Sequence, residues 1–526
     1  MNRGGEGTTR LRVLLLGILG GACVLRLIRL GVKSFWTDEA YSVFVGSAPL
    51  SQVVETIRTF DPHPPLYFVL LHVWLRAGGN GESWVRLLSV LGGVTAVGLT
   101  YLLGRRVLGQ REGLLGAGLA AFSPFAVMAS QDARMYPLLT VWGLGSSYLF
   151  WLAVEEGDRR RHWAMYAVVN ALAMYTHYFG VLFPLAHLGY LAWTRQPWRV
   201  LRRWLLTVGA TGVLLLPWLP AVVQQIVSGL GWPAFRGGVD EHTLLILLTL
   251  LGFGGTLFDM PSYLAGGRAS PLTHLLVALP VVGLFAAGLG EIRRRPRPVG
   301  FLVWILAVPI LVPFLVALHW LPVFVTRYFS FQAPAFVLLL SAGITRLSGV
   351  IPRVPARVAT AGAVLLMAAY SAPVLASFYY DPRLAVTDWR AAARHVAAHA
   401  TPGDLVLVVH HAATPFFHYF KGSQPRRVVY VWELAPEAWL RSPRLPESIR
   451  RRLREPPFDG VEAARHARRV PYAWVVMREP VPPRALMALD EALRQSFTLV
   501  SRVDFRGVDI YRLKSRYQPA ATPGSP

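Results

Sequence analysis

Two carboxylates stand side by side in Trp36-Thr37-Asp38-Glu39-Ala40-Tyr41, directly after the first apolar block of the chain. A positioned carboxylate can take a proton from a hydroxyl. Adjacent carboxylates at a membrane boundary also cost energy unless they are solvated or used. The plainer reading is a helix start, with Thr37 as its cap and Asp38 and Glu39 facing the positive end of the dipole. Four more polar groups follow along the chain. Asp61-Pro62-His63-Pro64-Pro65-Leu66-Tyr67 reads as an extended entry that the prolines fix ahead of a helix. In Ser130-Gln131-Asp132-Ala133-Arg134-Met135-Tyr136-Pro137 an arginine lies beside an aspartate, which an ion pair would explain equally well. Tyr175-Thr176-His177-Tyr178-Phe179-Gly180 sets a histidine among aromatics, a pattern common in interfacial belts. Arg327-Tyr328-Phe329-Ser330-Phe331-Gln332 is the fifth group.

The elements that carry these groups are apolar. Of 526 residues, 54% are hydrophobic and 16% charged, with a mean hydropathy of +0.41. A soluble domain is about 25% charged, so a soluble globular chain is excluded. Apolar blocks of roughly 20 residues match a hydrocarbon core about 30 Å thick. The chain reads as a polytopic α-helical membrane protein of about eleven transmembrane helices. The spans fall at 12–32, 84–104, 113–131, 136–154, 163–179, 181–194, 204–228, 271–290, 300–319, 331–345 and 357–377. The single cysteine, Cys23, lies inside the first, which reads as an uncleaved helix, and no disulfide framework is available.

The net charge of +24 resides in arginines clustered between the spans, and only Lys33, Lys421 and Lys514 are lysines. This is the positive-inside pattern and needs no nucleic acid. Arg105, Arg106 and Arg111, Arg159 to Arg161, Arg195 to Arg203, Arg293 to Arg297 and Arg346 to Arg357 all fall on the side assigned to the cytoplasm. The amino end is then cytoplasmic and the carboxyl region outside, in a bacterial-type plasma (inner) membrane. Residues 64–77 and 243–258 are too short to span and read as juxtamembrane helices at the outer surface. Arg26, Arg29 and Lys33 oppose the rule. They read as snorkelling residues or as an anchor for an anionic lipid headgroup.

From residue 378 the pattern changes to strand-like runs at 405–409, 428–432 and 473–477, with helical stretches at 389–399 and 447–454. That alternation predicts a small α/β domain. The plan is a membrane domain over 1–377, an extracytoplasmic domain over 378–517 and a disordered tail over 518–526. The five polar groups come from distant parts of the chain yet fall on the same outer face, as a site there requires.

In their order, Asp38-Glu39-Ala40, His63-Pro64-Pro65-Leu66-Tyr67, Gln131-Asp132-Ala133-Arg134-Met135-Tyr136, Thr176-His177-Tyr178 and Arg327-Tyr328 resemble the GT-C membrane glycosyltransferases. The resemblance is to the branch with protein O-mannosyltransferases and the lipid A aminoarabinose transferase, over residues 10–380. It implies transfer of a sugar from a polyprenyl-phosphate-linked donor to a hydroxyl of a lipid, glycan or protein acceptor at the outer face. In that family the aspartate of the first outer loop is the catalytic carboxylate, here Asp38 with Glu39 beside it. His63, Arg134, Arg327 and Tyr328 become candidates for the donor phosphate, and Asp132, Tyr136, His177 and Tyr178 for substrate contact. The aminoarabinose branch often carries lysine where this chain has His63, so a permanent positive charge is lost there. Some GT-C enzymes use a divalent metal; this sequence does not require one or any other cofactor. A transporter or flippase would instead place ionisable groups near the bilayer midplane. A tethered sensor would leave Asp38, His63 and Arg134 unexplained.

Overall fold

The computed structural model describes residues 3–157, 159–227, 239, 243–244, 247, 251–252, 271–319, 323–350, 352–381, 387–401, 403–409, 412–420, 427–431, 470–478 and 497–516. The expected tail at 518–526, the helix at 447–454 and most of 243–258 lie outside these residues. The chain forms two compact units. One comprises residues 1–30, 57–70 and 83–384, the other 31–56, 71–82 and 385–526.

The first unit is helical because its apolar runs are long. Among the described residues, six helices are long and apolar enough to cross a membrane: Glu82–Val107, Tyr136–Glu155, Trp198–Val227, Pro296–His319, Thr326–Ser348 and Ala356–Tyr380. The eleven expected spans therefore stay an expectation. The window in Thr326–Ser348 is 94% buried, against 22% for Ala356–Tyr380, so the former is the central helix of the unit. It meets Pro271–Gly290 at backbone contact. A Cβ on Gly343 would stand 1.9 Å from the Leu284 carbonyl oxygen, and one on Gly288 2.1 Å from that of Leu339. Small residues at such a crossing gain dispersion contacts where lipid offers no hydrophobic drive. Polar side chains add hydrogen bonds across helices: Ser146 donates to Asn170 at 2.9 Å, and Tyr166 lies 2.8 Å from Nδ1 of His187.

The expected span at 113–131 is not one helix. Gln110–Phe122 and Pro124–Ser130 meet at 59°. Pro124 has no N–H to continue the ladder, and Ser123 before it is extended at φ −60°, ψ 117°. The break frees carbonyls of the first half, and Arg26 occupies them. Its guanidinium donates to the carbonyls of Ala121 at 2.9 Å and Ala120 at 3.3 Å, and to Ser130 Oγ at 3.1 Å. Arg26 is 1% exposed, so the snorkelling and lipid-anchor readings fail for it; the broken helix binds it. Arg29 is exposed and lies over the Tyr380 ring at 5.2 Å.

Gly93 leaves room for this staple, since a Cβ there would fall 2.1 Å from Ser130 Oγ and 2.9 Å from Arg26 Nε. Gly93→Ala should destabilise the protein by about 1–3 kcal/mol through overpacking. Thermal unfolding in detergent reads this out, and an unchanged midpoint would mean that the staple is not packed against Gly93.

The second unit contains a five-stranded sheet of order β2-β1-β3-β5-β4, with β1 Leu405–Val409, β2 Arg427–Val431, β3 Tyr472–Arg478, β4 Phe497–Phe505 and β5 Val508–Ser515. β1 pairs in parallel with β2 and β3, while β5 runs antiparallel to β3 and β4. Central parallel strands are covered on both faces and read as continuous apolar runs, as Leu-Val-Leu-Val-Val in β1 does. The Trp389–His399 helix packs Trp389, Ala393 and Val396 against Val406, Trp474 and Ile510. Just before β1, Asp404 accepts from the Thr401 N–H and from Trp474 Nε1, each at 3.0 Å.

Candidate active site

Asp38 and Glu39 lie in the second unit, in the first turn of the Thr37–Gly46 helix. Thr37 is not the cap. Trp36 holds that position in extended backbone (φ −85°, ψ 174°), and Thr37 is already helical. The Glu39 carboxylate accepts the Trp36 N–H at 3.3 Å, the return half of a capping box. Glu39 is 1% exposed, while Asp38 is half-buried. Glu39 therefore closes its own helix, and Asp38 is the carboxylate of the pair that solvent reaches. Both gain from the positive end of the helix dipole.

The remaining candidates belong to the first unit. Asp61 Oδ1 accepts the His63 backbone N–H at 2.8 Å and meets His63 Nδ1 at 2.7 Å. The carboxylate thus fixes both the turn and the ring. Burial alone would raise the Asp61 carboxyl, but the charge and hydrogen bonds of His63, with Arg134 nearby, hold it below the usual carboxylate range. Gln225 Nε2 donates to the carbonyls of Asp61 at 2.7 Å and Ile57 at 3.0 Å, and its Oε1 accepts from Tyr178 OH at 2.5 Å. Trp218 Nε1 donates to the same hydroxyl at 3.2 Å. The Leu219–Val227 helix is thereby tied to the Asp61-His63 turn.

Rings complete the arrangement. His177 lies 5.6 Å from His63, 5.4 Å from Tyr328 and 6.3 Å from Tyr136, and Tyr136 and Tyr328 are 5.5 Å apart. His63, His177, Tyr178, Gln225 and Tyr328 form the polar edge of a cavity of about 450 Å³, lined elsewhere mainly by apolar side chains such as Leu215, Val222 and Ile226. Such a space offers an apolar chain a dry wall and its polar head a few donors.

Arg134 is buried beyond the helix break, in a turn where its N–H reaches the Asp132 carbonyl at 2.8 Å and its own carbonyl accepts from Ser89 Oγ at 3.2 Å. The Gln131 side chain donates to the carbonyls of Arg26 and Ile28 at 2.9 and 2.8 Å, which fixes that turn. Arg327 is exposed, with its guanidinium 5.7 Å from the centre of the Tyr328 ring. The structure thus brings His63, Tyr136, His177, Tyr178 and Tyr328 together and sets Arg134 close enough to act on Asp61. Asp132 and Arg327 do not line the cavity.

Sequence reasoning missed three contributors. Asp61 was legible as the partner two residues before His63. Gln225 was signalled by a polar Gln224-Gln225 pair inside an apolar run, whereas Trp218 had no signal beyond its interfacial type. Among the described residues, no group of three His, Cys, Asp or Glu could hold a metal ion.

Residues 62–222 match the family described as dolichyl-phosphate-mannose-protein mannosyltransferase. No curated protein matches the sequence. Among solved structures, the chain is similar to ArnT from Cupriavidus metallidurans in the apo state. The TM-score is 0.64 at 16% identity, covering 96% of this chain and 98% of that one. ArnT from the same organism bound to undecaprenyl phosphate gives 0.61 at 15% identity over the same shares. The archaeal oligosaccharyltransferase AglB from Archaeoglobus fulgidus, in complex with an inhibitory peptide and a dolichol-phosphate, gives 0.50 at 14% identity. That match covers 94% of this chain and 74% of that one. At these identities the likeness is one of fold.

Proposed function

We propose, for a chain whose fold is that of the GT-C membrane glycosyltransferases, that it moves a sugar from a polyprenyl-phosphate-linked donor to an acceptor hydroxyl. The acceptor is a lipid, glycan or protein, and the reaction takes place at the extracytoplasmic face, the side opposite the arginine-rich loops. The observation that carries this reading is the apolar cavity edged by His63, His177, Tyr178 and Tyr328, in a fold that the undecaprenyl-phosphate-bound ArnT shares. The cavity suits an isoprenoid segment, and its polar edge suits the phosphate that follows it.

In this reaction Asp38 accepts the proton of the acceptor hydroxyl as its oxygen bonds to the anomeric carbon. The carbon–oxygen bond to phosphate breaks, and the electron pair leaves with the lipid phosphate. Charge builds on that leaving group, where Arg134, Arg327 and His63 are the proposed stabilisers and Tyr328 a hydroxyl donor. Asp132, Tyr136, His177 and Tyr178 are proposed to contact the substrate. A membrane domain over 1–377 and an extracytoplasmic domain over 378–517 are part of this proposal. A broken span is also a transporter device, but here Arg26 fills the break.

The test is a titration of undecaprenyl phosphate against the purified protein and its Arg327→Lys variant. Saturable binding is expected for the wild type. The variant should weaken it by about 1 kcal/mol, roughly fivefold, because lysine keeps the charge but loses the planar contact with the Tyr328 ring. Absence of saturable binding to the wild type would remove the lipid-phosphate reading. Equal affinities would leave Arg327 as a surface anchor.

A further inference from the structure

We propose that the C-terminal sheet region positions the Asp38 helix, through Tyr419, Arg390 and Arg478. This rests on the reading of Asp38 as the base. The Thr37–Gly46 helix has ten residues, too few to be stable alone, and residues 31–36 before it form no regular element other than a turn. Side chains more than 300 positions away hold them, all within the same compact unit.

Tyr419 is the joint. Its hydroxyl accepts the Phe35 N–H at 2.7 Å and donates to Glu82 Oε1 at 2.8 Å. Arg390 donates to the same carboxylate oxygen and to the carbonyls of Gly31 at 3.2 Å and Val32 at 3.4 Å. Ser34 Oγ donates to the Thr387 carbonyl at 2.6 Å and accepts the Trp389 N–H at 3.2 Å. The Phe35 ring is fully buried and meets His418 edge-on at 5.0 Å. At the helix start itself, Arg478 Nη1, from the end of β3, donates to Thr37 Oγ1 at 3.0 Å. Three of the four residues from Ser34 to Thr37 (Ser34, Phe35 and Thr37) are therefore held by the sheet region, and Asp38 is the next. Displacing a base by about 1 Å costs up to roughly 100-fold in rate, so such bracing bears on turnover.

Tyr419→Phe removes one oxygen and both of its hydrogen bonds while keeping the ring. Two readouts on the full-length protein test the proposal. Amide hydrogen exchange over 37–46 should accelerate about tenfold or more, with 405–409 unchanged. Turnover of the lipid-linked sugar fraction extracted from the native membrane should fall roughly 10- to 100-fold, with undecaprenyl phosphate affinity unchanged. Unchanged exchange over 37–46, equal acceleration throughout the sheet, or faster exchange with normal turnover would each overturn it. Should Tyr419→Phe fail to accumulate, Arg478→Met carries the same readouts, with Arg478→Lys expected to restore them. If Asp38→Asn retains activity, the base assignment fails by itself, and the exchange and turnover of Tyr419→Phe still decide whether the sheet braces this helix for catalysis.

Discussion

Replacing Asp38 by asparagine is expected to lower turnover by about 10²-fold or more while the protein accumulates normally. Asparagine keeps the shape and the first-turn geometry of the Thr37–Gly46 helix but cannot take the acceptor's proton. Asp38 is half-buried, and a neutral side chain of the same shape is expected to leave the fold intact. The companion variant Glu39→Gln should behave differently. Glu39 is buried and its carboxylate accepts the Trp36 N–H, an interaction that the glutamine side-chain oxygen can also make. Its effect should therefore appear mainly in stability, by about 1 kcal/mol. Steady-state rates with thermal unfolding of both variants separate the roles. Near-normal turnover in Asp38→Asn would remove it as the base, and loss of activity confined to Glu39→Gln would exchange the assignments.

The second large effect is expected at Arg134. It is buried and its charge acts on Asp61, whose carboxylate holds His63. Lysine preserves the charge but offers a point donor in place of a planar fork that can engage two phosphate oxygens. Arg134→Lys should weaken the use of the lipid-linked donor by roughly 10- to 100-fold, the worth of one or two charge-assisted hydrogen bonds. Arg327→Lys, at an exposed position, should cost less. A donor titration at saturating acceptor checks the order of the two. Equal, small effects from both would move the phosphate contact to His63 and Tyr328.

Much of the fold was legible because it is written in local pattern. The run Leu405 to Val409 is strand β1, and residues 389–399 and 271–290 are helices with the expected bounds. Each rests on a periodicity or a continuous apolar length that the sequence shows directly. Strands β4 and β5 were not foreseen. β4 is mostly exposed, with serine, arginine and aspartate along it, so it lacks the apolar signature. The break at Ser123 was marked by Ser123-Pro124, but the apolar composition on both sides masked it.

The destination of Arg26 could not be read at all. A cation near a helix end looks the same whether it reaches headgroups or a neighbouring helix, and only the carbonyls freed 94 and 95 residues later decide between them. The same holds for the bracing of Ser34, Phe35 and Thr37 by Thr387, Trp389, Tyr419 and Arg478. Hydrogen bonds across 353 to 441 positions leave no periodic trace. For the candidate site, residue types and order were visible, and five of the predicted side chains do meet. The supporting layer went unassigned: Asp61 and Gln225 left a local signal, whereas Trp218 left none beyond its type.

The central claim is that a sugar leaves a polyprenyl phosphate with Asp38 as the base. The most direct measurement compares lipid-linked sugars extracted from cells that carry the wild-type chain, the Asp38→Asn variant or neither. The account predicts that one polyprenyl-phosphate sugar accumulates both without the protein and with Asp38→Asn, and that the wild-type chain clears it. Identical lipid-linked pools in all three would contradict it.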